Sequence, residues 1–177
     1  MKILALSGSL RQRSGNTALL HTLADLARPP TTIRVYDGLG GLPLFNPDDE
    51  GPRTPAAVLS FAAAVAEADA LVIACPEYVH AIPGAFKNAI DWLVSRQEII
   101  GKPIALLHAS HGGDDVLTDL RRVLATVSDR FAPQVFARLN LRGQTPEAVA
   151  ATLGQPENQA ILHGFLAEFL AFVATPA

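Results

Sequence analysis

The chain contains a single cysteine, Cys75, so an intramolecular disulfide and a cysteine metal cluster are both excluded. Charged residues make up only 18%, and the net charge is −3. That balance offers no basic surplus for nucleic acid, and no strong acidic field of the kind electron carriers use to dock protein partners. No apolar run reaches the ~18 residues that a membrane span needs. Met1-Lys2-Ile3-Leu4 enters a strand-like run at once, without the long apolar region and cleavage site of a signal peptide. These absences lead us to expect a soluble cytoplasmic protein with neither a membrane span nor a nucleic-acid partner. Hydrolytic signatures are missing as well. No Gly-x-Ser-x-Gly elbow occurs, and His21, His80, His108, His111 and His163 fall at no metal-ligand spacing, so no metal is expected.

Two familiar phosphate loops are also absent. Between Gly8 and Gly15 the spacing is too long for a P-loop, and Asn16 stands where its lysine is required; no three glycines match the dinucleotide fingerprint. Asp37, after the second strand-like run, is then read as a plain loop or cap residue rather than a ribose ligand. What the chain does carry is Ser7-Gly8-Ser9-Leu10-Arg11-Gln12-Arg13-Ser14-Gly15-Asn16-Thr17, strung between an apolar run and a helical pattern. Such a loop points free backbone N–H groups and a helix N-terminus at its contents. Its hydroxyls, Asn16 and the guanidinium groups of Arg11 and Arg13 suit a terminal phosphate monoester. The alternative is a solvated turn with Ser14 or Asn16 capping the helix.

With 177 residues, 49% of them hydrophobic, the chain is long enough for one well-cored domain, expected to span residues 1–177. No internal repeat or linker interrupts it. Strand-like runs at 3–6, 31–36, 70–75, 104–108 and 134–141 alternate with five helical patterns. The runs 70–75 and 104–108 are continuously apolar, as central parallel strands covered on both faces require. The expected fold is therefore α/β, a three-layer sandwich with a five-stranded parallel sheet between helices. In such sheets ligands sit beyond the strand C-termini, where strand order reverses.

Two further strand-end loops draw attention. Pro76-Glu77-Tyr78-Val79-His80-Ala81-Ile82-Pro83-Gly84 is stiffened by its prolines, and fixed backbone groups beside Tyr78 suit the edge of a flat heteroaromatic ring. Partial burial of Tyr78 and a surface role for His80 are the plainer alternatives. Ser110-His111-Gly112-Gly113-Asp114 allows either close backbone approach to a ligand or a tight turn before a helix capped by Asp114. His80 and His111 could meet across the crevice. Cys75 is assigned to packing and Lys87 to an exposed helix face; Asn88, Asp91 and Trp92 serve helix packing or a subunit contact, packing being the default. No acid, nucleophile and base stand out as a set, which favours chemistry by a bound cofactor.

Gly8-Ser9-Leu10-Arg11 with Ser14 and Asn16, together with Pro76-Glu77-Tyr78, Pro83-Gly84 and Lys87-Asn88-Ala89-Ile90-Asp91-Trp92, resembles the NADPH-dependent FMN reductase family. The likeness covers roughly the first two-thirds of the chain. It implies a flavodoxin-like fold with sheet order 2-1-3-4-5, and a quinone-, azo- or chromate-reductase type of activity in a homodimer or homotetramer. FMN would be bound, with NAD(P)H as hydride donor and a quinone, azo compound, chromate or free flavin as the small-molecule acceptor. By resemblance, Ser9, Arg11, Ser14, Asn16 and Thr17 bind the FMN phosphate, Pro76, Glu77 and Tyr78 line the isoalloxazine, and Ser110, Gly112 and Gly113 approach its pyrimidine edge. No side chain is assigned as catalytic, since the flavin N5 carries the chemistry. His80 and Phe45 are candidates on the substrate side, Phe45 with burial under the 37–52 loop as its alternative. The family commonly has Asn after the Pro-Glu-Tyr triplet, where this chain has Val79, and its loop after the fourth strand is usually longer. A flavodoxin-type electron carrier and a non-catalytic FMN-binding regulatory module are the rival readings.

Overall fold

A computed structural model describes residues 1–175. Its five strands are β1 (Lys2–Ser7), β2 (Thr32–Tyr36), β3 (Ala70–Ala74), β4 (Ile104–His108) and β5 (Phe131–Arg138). All pair in parallel in the order β2-β1-β3-β4-β5, the order of a flavodoxin-like sheet. Six helices accompany them: α1 (Gly15–Leu26), α2 (Ala56–Glu67), α3 (Gly84–Asp91), α4 (Asp114–Val127), α5 (Pro146–Leu153) and α6 (Pro156–Ala174).

Alternation of side chains along β1, β3 and β4 feeds two cores. Leu4, Leu6, Leu71, Ile73, Ile104 and Leu106 pack against α2, α3 and α4 through Phe61, Phe86, Leu117 and Leu120. Ile3, Ala5, Val72, Ala105 and Leu107 face α1, α5 and α6 through Leu19, Leu23, Val149, Leu162 and Phe169. The central strands β3 and β4 are buried at every position, which explains their uninterrupted apolar runs. Edge strand β2 is only partly covered.

Three expectations need correction. The expected fifth strand, 134–141, is displaced: β5 begins at Phe131, and its register with β4 shifts between Ile104 and Leu106. Pro133, which cannot donate to the ladder, stands inside the irregular stretch. Pairing nonetheless continues to Leu141, because Leu139 N–H donates to His108 O (2.9 Å) and Leu141 N–H to Ala109 O (3.1 Å). Among the described residues six α-helices stand where five helices were expected, α5 being the addition. Asp114 is not a cap but the first residue of α4; Gly113, at φ +90°, holds the cap position.

Strand order reverses between the parallel neighbours β1 and β3, whose ends meet at Gly8. Its N–H donates to Ala74 O (2.8 Å), and a Cβ there would lie 2.3 Å from Cys75 Sγ. Only glycine fits that approach. Cys75 is buried packing, as expected, and burial pushes its thiol well above the ordinary range.

Candidate functional site

Beyond the C-terminal ends of β1, β3, β4 and β5 lies an open cleft of about 730 Å³. Ser9, Arg11, Ser14, Asn16, Thr17, Pro76, Glu77, Tyr78, Ser110, Gly112 and Gly113 all line it. Three loops far apart in sequence thus converge at the switch point that the sheet order creates.

The first loop is shaped by its own hydroxyls. Ser7 Oγ sits 2.8 Å from Thr17 Oγ1 and accepts from Ser9 N–H (3.3 Å), so buried Ser7 braces the loop rather than facing the cleft. Ser9 Oγ accepts from Arg11 N–H (3.3 Å), and Ser14 Oγ caps α1 by accepting from Thr17 N–H (3.4 Å). Ser14 therefore fills the cap role that the sequence left open between it and Asn16. Asn16 Oδ1 is buried and has no hydrogen-bond partner in the protein. Neither guanidinium, Arg11 nor Arg13, has a carboxylate partner among the described residues. Free cations and α1's first-turn amides together form an anion cradle, and Asn16 Oδ1 beside it offers an acceptor for a donor such as a hydroxyl.

The second loop is docked on α4. Glu77 Oε2 accepts from Val116 N–H (3.1 Å), satisfying one first-turn amide of that helix. His80 Nδ1 lies 2.7 Å from Asp115 Oδ2 and 3.8 Å from Glu77 Oε1. These three groups bring ligand-type atoms within 4.8 Å of one another, but their contacts serve to fasten the loop. His80 and His111 are not among the cleft's lining, and His80 is engaged with Asp115 and Glu77 instead. At the loop tip Tyr78 and Ala81 exchange both backbone hydrogen bonds at 3.1 Å, with Val79 and His80 between them at φ +52° and +58°.

The third loop turns over a buried histidine. His108 Nε2 is 2.6 Å from Gly112 O, which makes Nε2–H the donor and leaves Nδ1 buried without a partner. Burial holds this imidazole below its ordinary pKa, an effect the Gly112 carbonyl only partly opposes. Ser110 Oγ accepts from Gly112 N–H (3.1 Å), closing the turn. A Cβ on Gly113 would lie 2.8 Å from His108 Nε2, so glycine is required there by both backbone angle and space.

Phe45 is not a wall of the cleft. Its ring stands edge-on to Trp92 at 5.1 Å, and its N–H donates to Asn88 Oδ1 (2.8 Å). Asn88 Nδ2 and Trp92 Nε1 both donate to Pro43 O, at 2.9 and 2.8 Å, so α3 clamps the segment that carries Phe45. Sequence reasoning missed the cleft's far wall: Leu141, Arg142, Gly143, Gln144, Pro146 and Val149, the passage from β5 into α5. The signal available was Thr145-Pro146-Glu147, a cap residue followed by proline at the first helical position.

Cleft serines bond to backbone amides and none to a histidine, so no nucleophile–base pair exists there among the described residues. The site binds and orients. Among the described residues it holds no side-chain set for covalent chemistry.

The sequence pattern of the NADPH-dependent FMN reductase family matches residues 1–138. An NAD(P)H-dependent FMN reductase from Pseudomonas aeruginosa is 44% identical over 115 residues, covering 63% of this chain and 61% of that protein. A quinone reductase from Escherichia coli is 35% identical over 117 residues, with the same coverage of 63% and 61%. This chain therefore spans about three-fifths of the length of the curated relatives it matches. Among solved structures, a flavoenzyme NAD(P)H:(acceptor) oxidoreductase from Paracoccus denitrificans superposes with a TM-score of 0.76 at 25% identity, over 97% of this chain and 96% of that one.

Proposed function

This chain belongs to the NADPH-dependent FMN reductase family, and from that membership we propose that it is an FMN-dependent NAD(P)H oxidoreductase acting in the cytoplasm as a single flavodoxin-like FMN-binding domain. The observation that carries the proposal is the meeting of an unpaired cationic, amide-rich anion cradle with two stiff glycine- and proline-bearing loops around one cleft. The cradle fits a phosphate monoester, and the buried Oδ1 of Asn16, left without a donor by the protein, fits a hydroxyl-bearing ligand beside it.

Ser9, Arg11, Ser14, Asn16 and Thr17 would hold the phosphate, while Pro76, Glu77 and Tyr78 line the ring. Ser110, Gly112 and Gly113 would bring backbone groups to its pyrimidine edge. Bound there, FMN supplies a two-electron carrier between NAD(P)H and a quinone, azo, chromate or free-flavin acceptor. The protein's own work is placement. Glu77 fixes the ring-side loop to α4, and His108 fixes the turn at Gly112, so polar backbone groups need no rearrangement when charge develops. Val79 and Tyr78, exposed beside the cleft, suit coverage by a second copy in a homodimer or homotetramer. Sedimentation would show a monomer if that part is wrong.

The test is purification, a flavin spectrum, and NADPH oxidation with a quinone. We expect a yellow protein that consumes NADPH only when acceptor is present. Protein that binds FMN but leaves NADH and NADPH unoxidised with every acceptor class would make it a carrier or a binding module instead.

A further inference from the structure

Most guanidinium groups in this chain have partners. Arg96, Arg122 and Arg138 pair with carboxylates; Arg28 and Arg130 bond backbone carbonyls; Arg34 and Arg121 lie over aromatic rings. Among the described residues Arg11, Arg13, Arg53 and Arg142 have none, and all of these except Arg53 line the cleft. Arg11 and Arg13 belong to the anion cradle. Arg142 does not.

Arg142 follows Leu141, whose Cβ lies 3.4 Å from where a Cβ on Gly15 would stand, so the end of β5 abuts the start of α1. From there the side chain reaches the opposite loop. Arg142 Nη1 is 3.6 Å from the position of a Cβ on Gly112, and Ser110 Oγ is 3.9 Å from that same point. A guanidinium without a counter-ion thus lies against the Ser110–Gly113 turn on its cleft side. It stands on a segment beyond residue 138, where the family pattern ends.

We infer that Arg142 is a positioning and tuning residue for the pyrimidine edge of the flavin, an inference that rests on the FMN reading above. When the ring takes up two electrons and one proton, its net negative charge spreads over N1 and the C2 carbonyl. A permanently charged, planar donor already in place at that edge stabilises the reduced ring more than the oxidised one. Arg142 therefore favours reduction of the flavin, while Arg11 and Arg13 act on the phosphate in both oxidation states alike.

The experiment compares wild type, Arg142→Ala, Arg142→Lys and Arg53→Ala, by FMN and riboflavin titration and by reductive titration against a reference dye. In Arg142→Ala, affinity for reduced relative to oxidised flavin should fall about tenfold, which corresponds to a two-electron potential about 30 mV more negative. Riboflavin and FMN should weaken together, Arg142→Lys should recover part of the shift, and Arg53→Ala should match wild type. A wild-type potential in Arg142→Ala, with FMN still bound, overturns this inference and leaves the parent reading intact. Loss of FMN affinity with riboflavin affinity and potential unchanged also overturns it, because the cation then serves the phosphate. Wild-type protein that refuses both flavins overturns the parent reading, and this one with it.

Discussion

Val79 and His80 occupy the two central positions of a tight hairpin turn that requires left-handed backbone at both, a task usually given to Asn-Gly. Val79 is β-branched and 95% exposed, so no burial offsets its strain. Val79→Asn should raise stability by about 1 kcal/mol in urea unfolding, since left-handed geometry costs most side chains about 1–2 kcal/mol. No gain would mean that the turn relaxes in solution. His108 carries a different prediction. Burial depresses its folded pKa, so below about pH 6.5 the unfolded chain binds a proton that the folded one refuses. Its contribution is whole above that pH and declines as pH falls towards the folded pKa, by at most about 1.4 kcal/mol per pH unit. His108→Gln, which keeps a donor for Gly112 O, should flatten that acid limb in unfolding curves from pH 7 to 5. Arg11→Ala should weaken FMN binding by about 1.5–3 kcal/mol, the range for a hydrogen bond to a charged group, while sparing riboflavin. Equal loss for both ligands would move Arg11 off the phosphate.

The clamp onto the segment 43–45 ties the stretch holding three short 3-10 turns, Gly38–Gly41, Pro47–Asp49 and Gly51–Arg53, to Asn88 of α3 and to Trp92 just beyond it. Asn88→Ala leaves the Phe45 N–H without its partner and removes one of two donors at Pro43 O. It should cost about 1–3 kcal/mol and make 43–53 the first site of limited proteolysis. Unchanged cleavage there would show that the Phe45–Trp92 contact alone suffices. Elements with a clean apolar pattern were readable in advance: β3 and β4, buried on both faces, by unbroken apolar runs, and α1 by leucines on one face. Helix α5 was not, because Pro146–Leu153 is short and alanine-rich and buries only Val149 and Leu153. The displaced start of β5 escaped notice because Pro133 and the register shift spoil its alternation. The cradle was legible because neighbours in sequence build it. The far wall was not, because the spatial proximity of Arg142 to Gly112 is a product of tertiary folding alone.

Taken as one body, the protein places its cleft across loops from four strands, so a ligand there ties both halves of the sheet together. FMN at a hundredfold its Kd should add about 2.7 kcal/mol to folding stability. For a domain of this size that corresponds to a melting temperature raised by roughly 5–10 °C, readable by scanning calorimetry. An absent shift would remove FMN from the cleft. On the inference above, the residues that hold the nucleotide tail, Ser9 to Thr17, and the residue that sets the ring's electron affinity, Arg142, come from stretches far apart in the sequence. Substitution at Arg142 should therefore move the redox behaviour of the ring while the phosphate contacts of the opening loop stay in place, so the two properties can be engineered one at a time.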